Sequence, residues 1–486
     1  MSSQDAKQIE FNFLSDLPVF VQRHEGQLSS DAGLLPIAEF DRRSKYTQRM
    51  AACLDEQPSS DPRQEHRRPQ TQHHDIEMLR QRLFGILAGY EDCNDHDTLR
   101  DDPVFKMAAD RLPEDKPLAS QPTLSRFENS VTVAALQKLI DFTIATGIER
   151  LKANNGGKLP AVVTLDLDAT DDATHGNQQL TLFHGYYKQY QYYPIIVSEP
   201  TTKHVFIAAL RFGTAHAALG ADDDVMRIVN ALRKERPDIV IHVRGDSAFG
   251  VPWMYEVCEK NGLLYTFGFS SNPRLKRLTE KLMESASAQH GQTKEKARLF
   301  ECFNYKCDSW EHPRTVIAKA ECHDGGTNRR FVVTNLTSAC PLDRATADPV
   351  EASPIITAAQ GEATYDHYIG RGESEHRMDE LKNGLHMDRL SCHRFMANFF
   401  RLIVHVAAMN LLGAFRQSEQ LPPVLQVAQP CTWQLMLIKV AAIVVQTSRR
   451  IVVKVAANWP WWPLYKAAAA RATSMNPIPA LYLPSS

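Results

Sequence analysis

The chain has no Cys-x-x-Cys pair, and its nine cysteines are an odd, scattered set. That excludes a simple disulfide framework and points to reduced thiols in a cytoplasmic setting. Cys302, Cys307, Cys322 and His323 fit no familiar zinc spacing. The start lacks a basic-then-apolar secretory signal. The longest apolar stretch, 435–445, includes Lys439 and falls short of the ~20 residues a bilayer span needs. A soluble protein with no membrane partner is expected. No Gly-x-x-x-x-Gly-Lys phosphate loop and no His-x-x-x-His zinc helix is present. Also missing is a basic excess, since 55 Lys and Arg meet 57 Asp and Glu for a net charge of −2. Charge is segregated instead. From 415 to 486, seven basic residues face Glu419 alone, which gives the tail +6 and the rest −8.

What is present is a helix-compatible stretch, Tyr368-Ile-Gly-Arg371-Gly-Glu-Ser-Glu375-His-Arg-Met-Asp-Glu-Leu-Lys382. At about 100° per residue, positions 368, 371, 375 and 382 fall within roughly 60° of one another. A phenol, a guanidinium, a carboxylate and an ammonium therefore share one face. Such a stripe suits a phosphate backbone held beside a metal-binding carboxylate, with Arg371 and Lys382 on phosphates and Glu375 aimed at a cation. A salt-bridged surface helix would look the same.

Two more acidic sites follow strand-like runs. Leu-Pro-Ala-Val-Val-Thr-Leu-Asp166-Leu-Asp168-Ala-Thr170 ends an apolar, β-branched segment. Alternation puts Asp166 and Asp168 on one side of it. Asp-Ile-Val-Ile-His-Val-Arg244-Gly-Asp246 repeats the pattern. Acids beyond the carboxyl ends of central strands are where open α/β sheets place their sites, although a single copy reads equally as a turn aspartate. Three hard oxygen donors suit Mg²⁺. Two such ions about 3.5–4 Å apart activate an attacking oxygen and stabilise a leaving one.

The order Asp…Asp…Glu, with Tyr-x2-Arg-x3-Glu-x6-Lys complete as Tyr368, Arg371, Glu375 and Lys382, resembles the DDE transposases of bacterial insertion sequences. The segments from Asp166 to Gly176, Arg244 to Gly250 and Cys392-His-Arg394-Phe-Met-Ala-Asn398-Phe-Phe-Arg401-Leu are similar to one subgroup of that family. The likeness spans about 160–415.

It implies an α/β fold: a ribonuclease-H-like mixed sheet with helices, an inserted small antiparallel β unit and a helical N-terminal region. It implies a transposase that cuts transposon ends and joins them to target DNA without a covalent enzyme intermediate. Asp168, Asp246 and Glu375 would be the catalytic and metal-binding acids, holding two Mg²⁺ ions for which Mn²⁺ can substitute. The family's Thr or Ser two residues after the first acid selects Asp168, with Thr170, over Asp166, which stays a further metal-ligand candidate. Tyr368, Arg371 and Lys382 would contact DNA. The partners implied are double-stranded DNA, as terminal inverted repeats and target, and a second copy of the chain in the active complex. A nuclease without strand transfer and an inactive DNA-binding derivative are the alternatives.

Five regions are expected. Residues 1–155 are mainly helical, with 58–74 a flexible connection, an amphipathic run over 76–90 and a helix starting at Ser120 with Pro122 in its first turn. They bind DNA ends or serve as a scaffold. The core's first part, 156–274, holds strands at 161–168, 180–197, 203–212, 238–244 and 263–269, with helices at about 223–235 and from Pro252. Residues 275–355 form the insertion, with a helix over 273–299, then strands at 314–322 and 329–336 joined by Asp324-Gly-Gly-Thr-Asn. Trp310 there is either buried or a base-stacking surface. Residues 356–416 complete the core, with Gly384 a helix stop and Ser391 capping a long helix. Arg394, Asn398, Arg401 and His405 make its polar stripe, a further DNA contact. The basic region 417–486, with Arg449, Arg450 and three tryptophans, either grips DNA or another protomer or simply packs.

Overall fold

The computed structural model describes residues 8–11, 19–22, 26–54, 73–336 and 357–474. The apolar, β-branched runs become strands of one eight-stranded sheet. In chain order these are β1 (Val162–Ala169), β2 (Ile195–Glu199), β3 (His204–Ala209), helix α1 (Ala221–Glu235), β4 (Val240–Gly245), helix α2 (Pro252–Lys260) and β5 (Leu264–Phe269). Three further strands follow: β6 (Ala297–Tyr305), β7 (Arg314–His323) and β8 (Gly326–Thr334). Across the sheet the order is β6-β7-β8-β5-β4-β1-β2-β3. β4 runs parallel to both β1 and β5, while β2 is antiparallel to β1 and β3 to β2. The β3-β2-β1-β4-β5 portion is the ribonuclease-H-like order expected.

A parallel neighbour needs a crossover, and α1 supplies it between β3 and β4. Asp222, Asp223 and Asp224 in its first turn, with Arg233 and Lys234 in its last, match the helix dipole. Val225, Ile228, Val229 and Leu232 bury its inner face.

The insertion extends the core sheet. β8 pairs antiparallel with β5, from Thr266 opposite Thr334 to Phe269 opposite Phe331. The helix expected over 273–299 is two helices, Pro273–Leu278 and Glu280–Thr293, stopped by Lys294 in the left-handed region at φ 59°. β6 was not anticipated, because its first residues were read as helix. Likewise, 180–197 is no single strand: a hairpin (Leu182–His184 with Gln189–Tyr192) precedes β2. Trp310 is buried among the rings of Tyr255, Phe269 and Tyr305.

Among the N-terminal helices, Asp75–Leu87 is buried without a break from Met78 onward, so it is a core helix and not an amphipathic surface one. Gln121–Ser130 begins after Ser120 with Pro122 in its first turn. A 22-residue helix, Val133–Asn154, lies on β3. The expected connection at 58–74 falls mostly outside the described residues.

Helices α3 (Ala358–Ile369) and α4 (Gly372–Asp379) come next, then a five-residue π turn, Glu380–Gly384. α5 (Phe395–Arg416) begins after Arg394, not after Ser391. α5 is long and apolar enough to cross a membrane, but it is buried against Asp75–Leu87, Val133–Asn154 and β3. Finally, Gln27–Ser29 pairs with Ala442–Gln446, which pairs with Ile451–Val455. The first and last of the expected regions therefore share a sheet.

Candidate active site

The register of β1 and β4 brings the two aspartates together. Gly245 lies opposite Leu167 in a parallel pair, so Asp246, the residue just after β4, is level with Asp168. Each carboxylate spends one oxygen locally. Asp168 Oδ1 accepts from Ala169 N–H at 2.9 Å, and Asp246 Oδ1 from Ala248 N–H at 2.9 Å. The turn role that each motif suggested is thus real, and it leaves the second oxygen for other work.

α4 packs on β1 and delivers the third acid. Ser374 Oγ donates to Asp168 Oδ2 at 3.2 Å, and Glu375 follows it in the first turn with its side chain mostly in solvent. Between these acids stands Arg371. Its guanidinium lies 3.8 Å from Asp168 Oδ2 and donates to Glu375 Oε1 at 3.2 Å. Burial works against its charge, yet Tyr368, Asp168, Asp246 and Glu375 together hold its pKa above the ordinary value. Burial likewise pushes the Asp168 carboxyl up to about 6, with Asp246 adding repulsion and Arg371 opposing.

Among the described residues no three Asp, Glu, His or Cys side chains stand at metal-ligating spacing. Arg371 occupies that ground. The set nevertheless suits a hard divalent cation: its donors are carboxylate oxygens, and it already gathers around a positive group that relieves Asp168.

The uninterrupted helix expected from 368 to 382 is corrected. It breaks at Gly370–Arg371 between α3 and α4, then widens into the π turn. Lys382 thereby lands on Asp171, 3.1 Å from its Oδ1, and that pairing holds Asp171 below the usual carboxylate range in spite of burial.

Asp166 is also corrected as a metal-ligand candidate. It shares a strand face with Asp168, but both its oxygens accept from Arg244, at 2.6 and 2.8 Å, in a pair almost fully buried. Arg244 also donates to the backbone carbonyl of His367 in the last turn of α3. A cation at a helix C-terminus is favourable, and here it ties β1, β4 and α3 together just before Tyr368 and Arg371. A Cβ added at Gly370 would sit 3.1 Å from this guanidinium, which explains the small residue at the break. The sequence marks Arg244 as part of a motif but not its pairing with Asp166, and it carries no signal for Ser374.

The DNA-facing stripe of α5 is overturned in part. Asn398 is fully buried, donating to Cys392 O at 2.7 Å and to Tyr192 Oη at 3.3 Å. Arg401 is buried 3.6 Å from Glu128, which Arg82 also holds at 2.8 Å. His405 is buried too. A polar stripe on a helix packed all round finds its partners inside the protein. Arg394 stays exposed and donates to Asn129 O at 2.9 Å. Arg401→Ala should lower stability by about 2–3 kcal/mol in denaturant unfolding, less than a fully orphaned buried charge costs, because Arg82 still pairs Glu128. Arg449 and Arg450 sit exposed at the turn between Ala442–Gln446 and Ile451–Val455.

The family described as Transposase DDE domain group 1 matches residues 11–477. No curated protein matches the chain. Among solved structures, the cryo-EM structure of the piggyBac transposase synaptic complex with hairpin DNA aligns at a TM-score of 0.39 and 10% identity, covering 79% of this chain and 75% of that one.

Proposed function

This chain belongs to the DDE transposase family, and from that premise we propose that Asp168, Asp246 and Glu375 are its catalytic acids. As a transposase it cleaves DNA and joins the cut strand to target DNA, with divalent metal. The observation that carries the residue assignment is the strand register that sets Asp246 level with Asp168, with Arg371 between Asp168 and Glu375.

Asp168, Asp246 and Glu375 would hold two Mg²⁺ ions, with Mn²⁺ as a substitute. Bound there, the ions supply Lewis acidity to the attacking and leaving oxygens. The side chains do the rest. Arg371, turned from carboxylate to phosphate, grips the backbone beside the scissile bond with its planar fork. Tyr368 donates its hydroxyl to a neighbouring phosphate oxygen. Lys382 adds charge at the site's edge once Asp171 shares it. In cleavage, a water oxygen forms a bond to phosphorus and the 3′-oxygen departs as a hydroxyl. In joining, that 3′-hydroxyl attacks a target phosphodiester and displaces the target's own 3′-oxygen. Holding two ends together requires two copies of the chain.

Labelled DNA carrying the ends that flank the coding region tests this. Cleavage should need Mg²⁺ or Mn²⁺ and vanish in EDTA, and a supercoiled target should yield joined product. Cleavage without joining would favour a simple nuclease.

The Asp168 carboxyl also sets a pH dependence. Its folded value of about 6 lies above the ordinary 3.8. In chelator the native state therefore keeps a proton that the unfolded chain has lost, and stability falls as pH rises through that window. The full effect is up to about 3 kcal/mol. Added Mn²⁺ should restore it, so the metal-induced rise in melting temperature should be large near neutral pH and small at about pH 5. Thermal unfolding with and without EDTA measures it.

Arg449 and Arg450 contact DNA phosphate in this reading. Arg449→Ala with Arg450→Ala should reduce the slope of log affinity against log salt by about 2. Both side chains are exposed, so the melting temperature should not move.

A further inference from the structure

The hairpin between β1 and β2 carries an aromatic surface that no step above uses. Leu182–His184 pairs with Gln189–Tyr192 and places Phe183 directly opposite Tyr190. Their rings meet edge to face at 5.6 Å on one side of the hairpin. Leu182, Phe183, Tyr186 and Tyr190 are all exposed, Tyr186 at 83%. Tyr186 leans edge-on against Tyr187 at 5.0 Å, and Tyr187 reaches Tyr193 at 6.2 Å. Gln189 of the same hairpin donates to Asp171 Oδ2 at 3.0 Å, and Asp171 in turn holds Lys382 at 3.1 Å. The hairpin therefore runs from Asp171, three residues beyond Asp168, out to solvent. Lys188, exposed and in the left-handed region at φ 55°, adds a positive charge at the turn.

Exposure on this scale is costly for a hairpin of such short strands, which has no core of its own. Trp310, Tyr255 and Phe267 are covered, and the exposed core rings Phe212 and Trp253 lie at 36% and 40%, well below Tyr186. An exposed apolar surface marks an interaction site, and the hairpin's bond to Asp171, beside the acids, says what reaches it.

We propose that the 182–192 hairpin is a stacking platform for unpaired bases of the DNA strand being processed, with Tyr186 and Tyr190 as the principal rings. Aromatic faces accept any base, so the platform reads strand separation and not sequence. Phe183 props Tyr190 from across the hairpin, while Gln189 ties the platform to Asp171 at the edge of the site. The proposal rests on the acids being where the strand is cut.

The test is binding by the full chain in EDTA, where no chemistry occurs. Fluorescence anisotropy compares a blunt random-sequence duplex with the same duplex bearing a short unpaired 3′ tail. The chain should prefer the tailed duplex by about 5- to 150-fold for each base stacked. Tyr186→Ala with Tyr190→Ala should abolish that preference and keep the affinity for blunt DNA, while Tyr186→Phe should retain it. Equal affinity for both duplexes, or a preference that survives the double alanine variant, would overturn the platform. So would a variant that loses only self-association in light scattering, since the face would then belong to a second copy. Because binding is read without metal, this outcome is independent of cleavage. Loss of cleavage in an acid variant leaves the tail preference standing, and loss of the tail preference leaves the acids standing.

Discussion

Asp168→Asn, Asp246→Asn and Glu375→Gln should each lower DNA cleavage and strand transfer by on the order of 10³-fold or more. Removing one carboxylate from a divalent site forfeits several kcal/mol of charge stabilisation at the reacting phosphate, and each 1.36 kcal/mol is tenfold in rate. The expectation is sharpened by what else each acid does. The Ala169 and Ala248 amides that bind Asp168 and Asp246 can still be met by an asparagine oxygen. Glu375 is mostly exposed and packs against little. All three proteins should therefore fold. In EDTA the Asp168→Asn protein should melt no lower than the unaltered chain, because a carboxyl held at about 6 is uncomfortable when ionised. Inactivity with intact folding, and loss of the Mn²⁺-induced rise in melting temperature, is the joint signature. An Asp168→Asn protein that still cleaves would remove the assignment.

Arg244→Met is expected to behave in the opposite way, as a structural lesion first. It strands Asp166 in the interior with no counter-charge, and breaking one side of a buried pair costs about 3–5 kcal/mol. Asp166→Leu alone should cost a similar amount by stranding Arg244. Combining the two should recover most of the loss, since a well-packed apolar pair often replaces a buried ion pair without penalty. Activity should not recover with it. The double variant still lacks the bond from Arg244 to the His367 carbonyl that sets where α3 ends, and so leaves Tyr368 and Arg371 poorly placed. Denaturant unfolding and a cleavage assay on the same four proteins separate the two effects. Full activity in the double variant would show that the tie to α3 is dispensable.

The strands, the crossover and the closeness of Asp168 and Asp246 are legible because each leaves a local signature. β1 and β4 are apolar runs that end in an acid, and the order of elements then dictates that they lie side by side. Two kinds of information were not local. The widening at Glu380–Gly384 leaves no mark on a helical wheel, so the pairing of Lys382 with Asp171 is invisible there. The stripe of Arg394, Asn398 and Arg401 has the spacing of a solvent face, and only the packing of α5 reveals that Asn398 and Arg401 meet Tyr192, Glu128 and Cys392. Asp166 and Asp168 are equivalent by alternation. What separates them is a partner 78 residues away. Exposure of the 182–192 rings was hidden for the same reason, since a tyrosine-rich strand reads as buried until its neighbours are known.

The small sheet that joins Gln27–Ser29 to Ala442–Gln446 has a consequence for the order of events during synthesis. Ala32 and Gly33 also donate their amides to Val440 and Ile438. The segment at 27–33 thus waits for a strand synthesised after the whole of the large sheet and α5. Nascent chains and fragments stopped short of position 442 lack this clasp, so losing the basic region also unpairs Gln27–Ser29.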